Sequence, residues 1–249
     1  DREAAESAAT ESATAVVATV LDVAALLAVH LHGEASVALA YSARPMSLTV
    51  ATWNTEWRLP GSADVALIRE RLDAVGADII CLTEACGELL AGEGHLIECE
   101  PDYGYPLVEG RRKVLLWSRE PWEQVDRVGH AELPPGRFVA GRTMSAVGAI
   151  NVIGVCIPWR EAHVRSGTRD RALWQDHLAY LEGLRKILAD CTECTLVMGD
   201  FNQRIPRQYS PSHVFAALEA ALEGFRVATT GTIAPIGKAA IDHVAHTDD

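Results

Sequence analysis

Positive charge is scarce in this 249-residue sequence: 22 lysines and arginines stand against 34 aspartates and glutamates, a formal net charge of -12 at pH 7. A surface built to hold long nucleic acids needs a basic excess, so the charge argues against that class. A catalyst acting on nucleic acid is not excluded, because a metal site gathers carboxylates and the bound cation reverses the local sign. Cysteine is also sparse, with six residues at 81, 86, 99, 156, 191 and 194. Cys81 and Cys156 sit in apolar runs and read as the reduced, buried thiols of a cytoplasmic protein. Cys191-Thr-Glu-Cys194 lacks the second pair that a zinc site of this type needs. No internal repeat is present.

Long uncharged apolar runs are missing too. The first 45 residues are rich in Ala, Val, Ser and Thr, but Asp22 interrupts their apolar part and the segment before it is acidic. Neither a secretory signal nor a membrane span, which wants ~20 apolar residues without charge, is written there. The character changes at Met46, so residues 1–45 are expected to be an extension outside the core fold, either a loosely attached helix or a segment with no role in it. Residues 46–249 are expected to be the domain proper.

Nearly half of the residues are hydrophobic, enough for a sizeable core. From Met46 onward strands and helices alternate. Leu48–Trp53, Ala77–Thr83, Lys113–Trp117, Ala149–Ile157 and Thr195–Met198 read as strands. Val65, Ile68, Leu72 and Val75 recur at helical spacing, with Ser62 or Asp64 as cap and Gly76 as terminator. Asp170–Asp190 carries a second amphipathic pattern, with His177 on its apolar face as a satisfied core histidine. Short buried strands with helices between them predict an α/β fold.

The ends of these strands share one chemistry. Val50-Ala-Thr-Trp-Asn54 ends on an amide with Glu56 two residues on, and Ile80-Cys-Leu-Thr-Glu84 ends on a carboxylate. Leu196-Val-Met-Gly-Asp200 ends on a carboxylate with Asn202 two residues on, and Ala240-Ile-Asp242-His243 adds an aspartate and an imidazole. Residues i and i+2 of a strand face the same way, so Asp200 and Asn202 can converge on one point. The alternative is a private turn in which these short polar side chains bond their own backbone. Hard oxygen donors gathered from separate strands suit Mg²⁺ or Mn²⁺ rather than zinc.

In this order, ATWNTEW, CLTEA, VMGDFNQR and IDHV resemble the endonuclease/exonuclease/phosphatase superfamily of metal-dependent phosphoesterases, from about Met46 to the C-terminus. The resemblance implies a four-layered α/β sandwich of two packed mixed sheets flanked by helices. It implies Mg²⁺-dependent (or Mn²⁺-dependent) hydrolysis of phosphate esters, foremost phosphodiesters of DNA or RNA. The alternatives are a phosphomonoesterase acting on a small substrate, and a catalytically impaired member that only binds. Carried over by position, Glu84 is the principal metal ligand, with Asn54 beside it and Glu56 a further candidate. Asp200 orients or deprotonates the attacking water, staying ionised beside a cation. Asn202 holds a phosphate oxygen or positions Asp200, and Asp242 completes the catalytic set. No protein partner and no membrane association follow.

Two departures qualify the resemblance. A family Ser-Asp-His motif, whose histidine contacts the scissile phosphate, does not follow Asp242 in this sequence. The expectation is a C-terminus shorter than the family's; the alternative is that His243 takes the role, although as the next residue in a strand it should face away from Asp242. Where many members carry a histidine after the fourth strand, this sequence has Pro158, Trp159 and Arg160, and Arg160 is a candidate bidentate phosphate donor. Arg111, Arg112 and Lys113 read as a solvated strand edge, the alternative being that one of them faces a phosphate.

Overall fold

The computed structural model describes residues 16–23, 46–58, 63–233 and 238–247. Two sheets carry the fold. In the first, β1 (Val16–Val23), β2 (Met46–Asn54), β3 (Ile79–Cys86), β5 (Arg111–Ser118) and β4 (His95–Glu98) lie side by side in that order. In the second, the order is β10 (Arg226–Val227), β13 (Asp242–His246), β9 (Thr195–Asp200), β8 (Gly148–Cys156), β7 (Phe138–Ser145) and β6 (Trp122–Asp126). The short β11 (Thr232–Ile233) and β12 (Lys238–Ala239) form a separate ribbon. Each large sheet is mixed: β2 runs parallel to β3 and β8 parallel to β9, the other neighbours being antiparallel.

The pleat sorts the side chains into layers. Leu48 and Val50 of β2, Ile79 and Cys81 of β3, and Val114 and Leu116 of β5 face the second sheet. They meet Val152 of β8, Leu196 and Met198 of β9, and Val244 of β13 in a shared core. The alternate residues Ala51, Trp53, Ile80, Leu82 and Leu115 face outward onto Val65, Ile68 and Leu72 of helix α1 (Ala63–Val75). On the other side Val155 and Val197 pack against Tyr180, Leu181 and Leu184 of α2 (Gln175–Ala189) and Leu218 of α3 (Ser212–Ala221). Helix, sheet, sheet and helix thus stack as the expected four-layered sandwich. Among the described residues, no helix is long and apolar enough to cross a membrane, and no disulfide joins the six cysteines.

Three local readings change. Val16–Val23 is neither helix nor bystander: it pairs antiparallel with β2, from Val16 opposite Thr52 to Val23 opposite Met46. A β-branched run beside an otherwise open edge finds its backbone partners there. The rest of the 1–45 extension lies outside the described residues, as does Ser62. The second helix starts at Gln175, not Asp170, because Trp174 sits in the left-handed region at φ 67°. Lys113 is not on a solvated edge; it is buried.

Candidate active site

Topology brings the polar strand ends together. Because β2 and β3 are parallel, Asn54 and Glu84 leave the first sheet at the same end. Because β13 runs antiparallel to β9, its first residue Asp242 pairs in register with the last residue of β9, Asp200. The glycine before Asp200 is a fold requirement. Gly199 has φ 133°, and a Cβ there would lie 2.0 Å from the Val155 carbonyl oxygen of β8.

Asp200 joins the two sheets. Its Oδ2 accepts a hydrogen bond from Asn54 Nδ2 at 2.9 Å and another from Asn202 Nδ2 at 3.0 Å. Its Oδ1 accepts from the Asn202 backbone N–H at 2.8 Å. Asp200 therefore closes a turn with Asn202 through both carboxylate oxygens and, through Oδ2, also bonds Asn54 of the other sheet. Asn202 lies at φ 51°, in the left-handed region that asparagine tolerates, and its second amide hydrogen goes to the Ile157 carbonyl at 2.8 Å. With both hydrogens committed inside the protein, the geometry supports its positioning of Asp200 over contact with a phosphate.

The first-sheet side is built differently. Asn54 Oδ1 accepts from the Glu56 N–H at 2.9 Å, and Glu56 Oε2 accepts from Arg58 Nη2 at 3.1 Å. Glu84 sits at φ 50°, with Glu56 and Trp57 at 49° and 59°. Left-handed non-glycine residues cost of order 1–3 kcal/mol each and persist where the surroundings enforce them. The enforcing contacts are on hand: Thr55 Oγ1 and the Trp57 N–H both donate to the Glu84 carbonyl, at 2.9 and 2.7 Å. The side chain of Glu84 forms an ion pair with Lys113 Nζ.

The electrostatics of the cleft are those of crowded carboxylates. Burial, and then the charge of Glu84, push Asp200 up to about 7. Burial, and then the charge of Asp200, hold Asp242 well above the usual carboxylate range. Burial raises Glu56 as well, against the pull of Arg58. The protein groups alone thus leave Asp200 only partly ionised at neutral pH, and a bound cation would act in the opposite direction, towards the ionised form. Asp242 Oδ1 is buried and has no hydrogen-bond partner.

The remaining candidates fall outside this cluster. Arg160 is solvent-exposed and grips Glu161 Oε1 through Nε at 3.1 Å and Nη2 at 2.7 Å, and no contact joins it to Asp200 or Glu84. His243 does face away from Asp242. It is fully buried, its Nε2–H donates to the Gln203 carbonyl at 3.0 Å, and its Nδ1 accepts from Thr229 Oγ1 at 3.0 Å. His177 likewise donates from Nδ1 to the Pro158 carbonyl at 2.7 Å and accepts from Gln203 Nε2 at 2.8 Å. Burial lowers both imidazoles to about 4, so each is a neutral structural group at pH 7. Sequence reasoning missed Lys113, Thr55 and Gln203, whose roles depend on pairings between distant segments.

The donor set fits a hard divalent cation. The oxygens of Asn54, Glu56 and Glu84 border crowded carboxylates, and an orphaned buried oxygen of Asp242 adjoins them. Among the described residues, no three Asp, Glu, His or Cys side chains already form a preassembled metal cluster, so amide oxygens and water would have to complete any coordination.

Two packed mixed sheets with helices outside, and carboxylates collected at one set of strand ends, define a phosphoesterase-type sandwich. Residues 51–248 match the model of the Endonuclease/Exonuclease/phosphatase family, and the chain belongs to that family. Its members are hydrolytic phosphoesterases and are in general dependent on divalent metals. Among curated proteins no sequence relative matches. Among solved structures, the humanized TDP2 of D. rerio superposes with a TM-score of 0.57 at 12% identity, covering 80% of this chain and 83% of that one. Sphingomyelinase C from Streptomyces griseocarneus gives 0.53 at 15% identity, with 81% and 84% covered. The 3'-5' exonuclease NExo from Neisseria meningitidis gives 0.53 at 14% identity, with 80% and 86% covered. At these identities the likeness is one of fold.

Proposed function

We propose that the chain is a Mg²⁺- or Mn²⁺-dependent phosphodiesterase whose substrates include nucleic acid. The observation that carries this reading is the hydrogen bond from Asn54 to Asp200, which links the metal-side residues of one sheet to the base-side residues of the other. Glu84, Asn54 and Glu56 would hold the cation, which supplies charge to offset that developing on the phosphoryl oxygens. Asp200, buried and oriented through three hydrogen bonds, positions a water and takes its proton. Asn202 fixes Asp200, and Asp242 supports it from the neighbouring strand. Among the structural relatives, one is named for exonuclease activity and another for sphingomyelinase activity, so the fold alone does not select nucleic acid.

The test is hydrolysis of plasmid DNA, single-stranded DNA, RNA and inositol phosphates in Mg²⁺, in Mn²⁺ and in EDTA. The reading expects cleavage of at least one nucleic acid with either cation and none in EDTA. Release of phosphate from inositol phosphates alone would favour the phosphomonoesterase. Cation binding without turnover on any substrate would favour a binding domain.

A further inference from the structure

Lys113 lies among the crowded carboxylates, against Glu84. The register that pairs Thr83 with Val114 and Ala85 with Arg112 sets Lys113 directly opposite Glu84 across β3 and β5. Glu84 lies at φ 50° between those two pairs, and its carboxylate meets the lysine ammonium there. The lysine side chain is 10% exposed and its ammonium pairs with Glu84 Oε1. The same ammonium lies 5.0 Å from the Trp57 ring centroid and 5.3 Å from that of Tyr103, two rings stacked on each other at 5.7 Å. An aromatic cage of this kind favours a cation by attraction to the ring faces. Burial of an ammonium costs energy unless it is paired, and here the partner is the carboxylate expected to bind the metal.

Resting on the functional reading above, we propose that Lys113 is a tethered competitor for the divalent cation at Glu84, and so a positioning residue that sets the metal affinity of the site. Glu84 Oε1 cannot serve an ammonium and a divalent ion together without placing two positive charges side by side. A cation taken at that oxygen therefore displaces Lys113, and the released ammonium stays beside the site on its strand, where the anionic substrate can receive it. The affinity of the site for metal would then be low until substrate arrives.

The test is Mn²⁺ binding to the full chain, followed by electron paramagnetic resonance and by calorimetry, with no substrate and no turnover. Lys113→Met and Lys113→Gln should each raise Mn²⁺ affinity at least tenfold, while Lys113→Arg, which keeps the charge, should leave it near the wild-type value. Two neutral variants guard against one failing to fold, and thermal melts identify which remain native. Mn²⁺ binding to the wild type with no gain in the neutral variants would overturn the competition while leaving the metal site standing. No Mn²⁺ binding to any variant, with folding intact, would overturn both.

Discussion

The two halves of the cleft hold their carboxylates by opposite means. At the end of β9, Asp200 is buried and saturated with hydrogen bonds from Asn54 and Asn202. At the end of β3, Glu84 is partly open, sits on a left-handed backbone, and is held by the charge of Lys113. A carboxylate fixed by neutral donors keeps its orientation whatever enters the cleft. One fixed by a single ammonium can exchange that partner for another cation. Under the proposed function, the second sheet would supply fixed geometry and the first the exchange of cations.

The largest effect expected from breaking this contrast is at Asp200. Asp200→Asn keeps one acceptor and the fold but removes the base, and kcat on a model phosphodiester should fall by about 10²–10⁴. A variant with unchanged kcat would remove Asp200 from the chemistry.

Next comes the support under the second-sheet side. His177 titrates at about 4 in the folded chain, against an ordinary value of 6.5. The unfolded chain therefore takes up this proton first as pH falls. The stability that depends on neutral His177 is complete above pH 6.5 and is lost towards pH 4, by about 3 kcal/mol. Asp200 and Asp242 are raised in the folded state and act in the opposite direction, adding stability at low pH. Comparing urea unfolding of the wild type and His177→Gln at pH 7 and pH 4.5 isolates the histidine. The variant should lose less stability between the two, and an equal loss would show that His177 titrates as an exposed imidazole.

On the first-sheet side, Glu84→Gln should lower Mg²⁺ affinity by at least 10- to 100-fold, the range reached when even supporting groups of a metal site are removed. Calorimetry that finds the affinity unchanged would displace Glu84 from the metal site. The smallest effect is expected at the outer edge of the first sheet. Removal of residues 1–45 takes away β1 and exposes the edge of β2, and should shift Tm by about 2–4 °C for each kcal/mol lost while leaving cation binding intact. Loss of the folded state would make β1 integral to the domain.

Much of this was legible along the chain because strands announce both their faces and their ends. The alternation of Leu48, Val50 and Ala51, Trp53 specifies two buried faces, and a polar residue closing each apolar run marks where the sheet opens. Strand β6, with the sequence Trp-Glu-Gln-Val-Asp, was not legible, since an edge strand with exposed Glu123 and Gln124 has no periodic apolar face. The start of α2 misled because Leu173 and Trp174 continue the apolar spacing in residue type, while the left-handed turn at Trp174 interrupts it in space. Lys113 misled for a related reason. Three consecutive basic residues read as a wet edge, and only the pairing of β3 with β5 places the third against Glu84.

Gln203, the residue after the Gly-Asp-Phe-Asn turn, draws three elements into one opening event. Its side-chain nitrogen donates to His177 of α2 and to the Val214 carbonyl of α3, while its own carbonyl accepts from His243 of β13. None of the three can separate from the turn without stripping a buried polar group of its partner. In hydrogen-exchange terms, the amides of α2, α3 and β13 should share one protection level rather than fray in sequence. The turn that carries Asp200 then inherits the slow breathing of the whole outer layer.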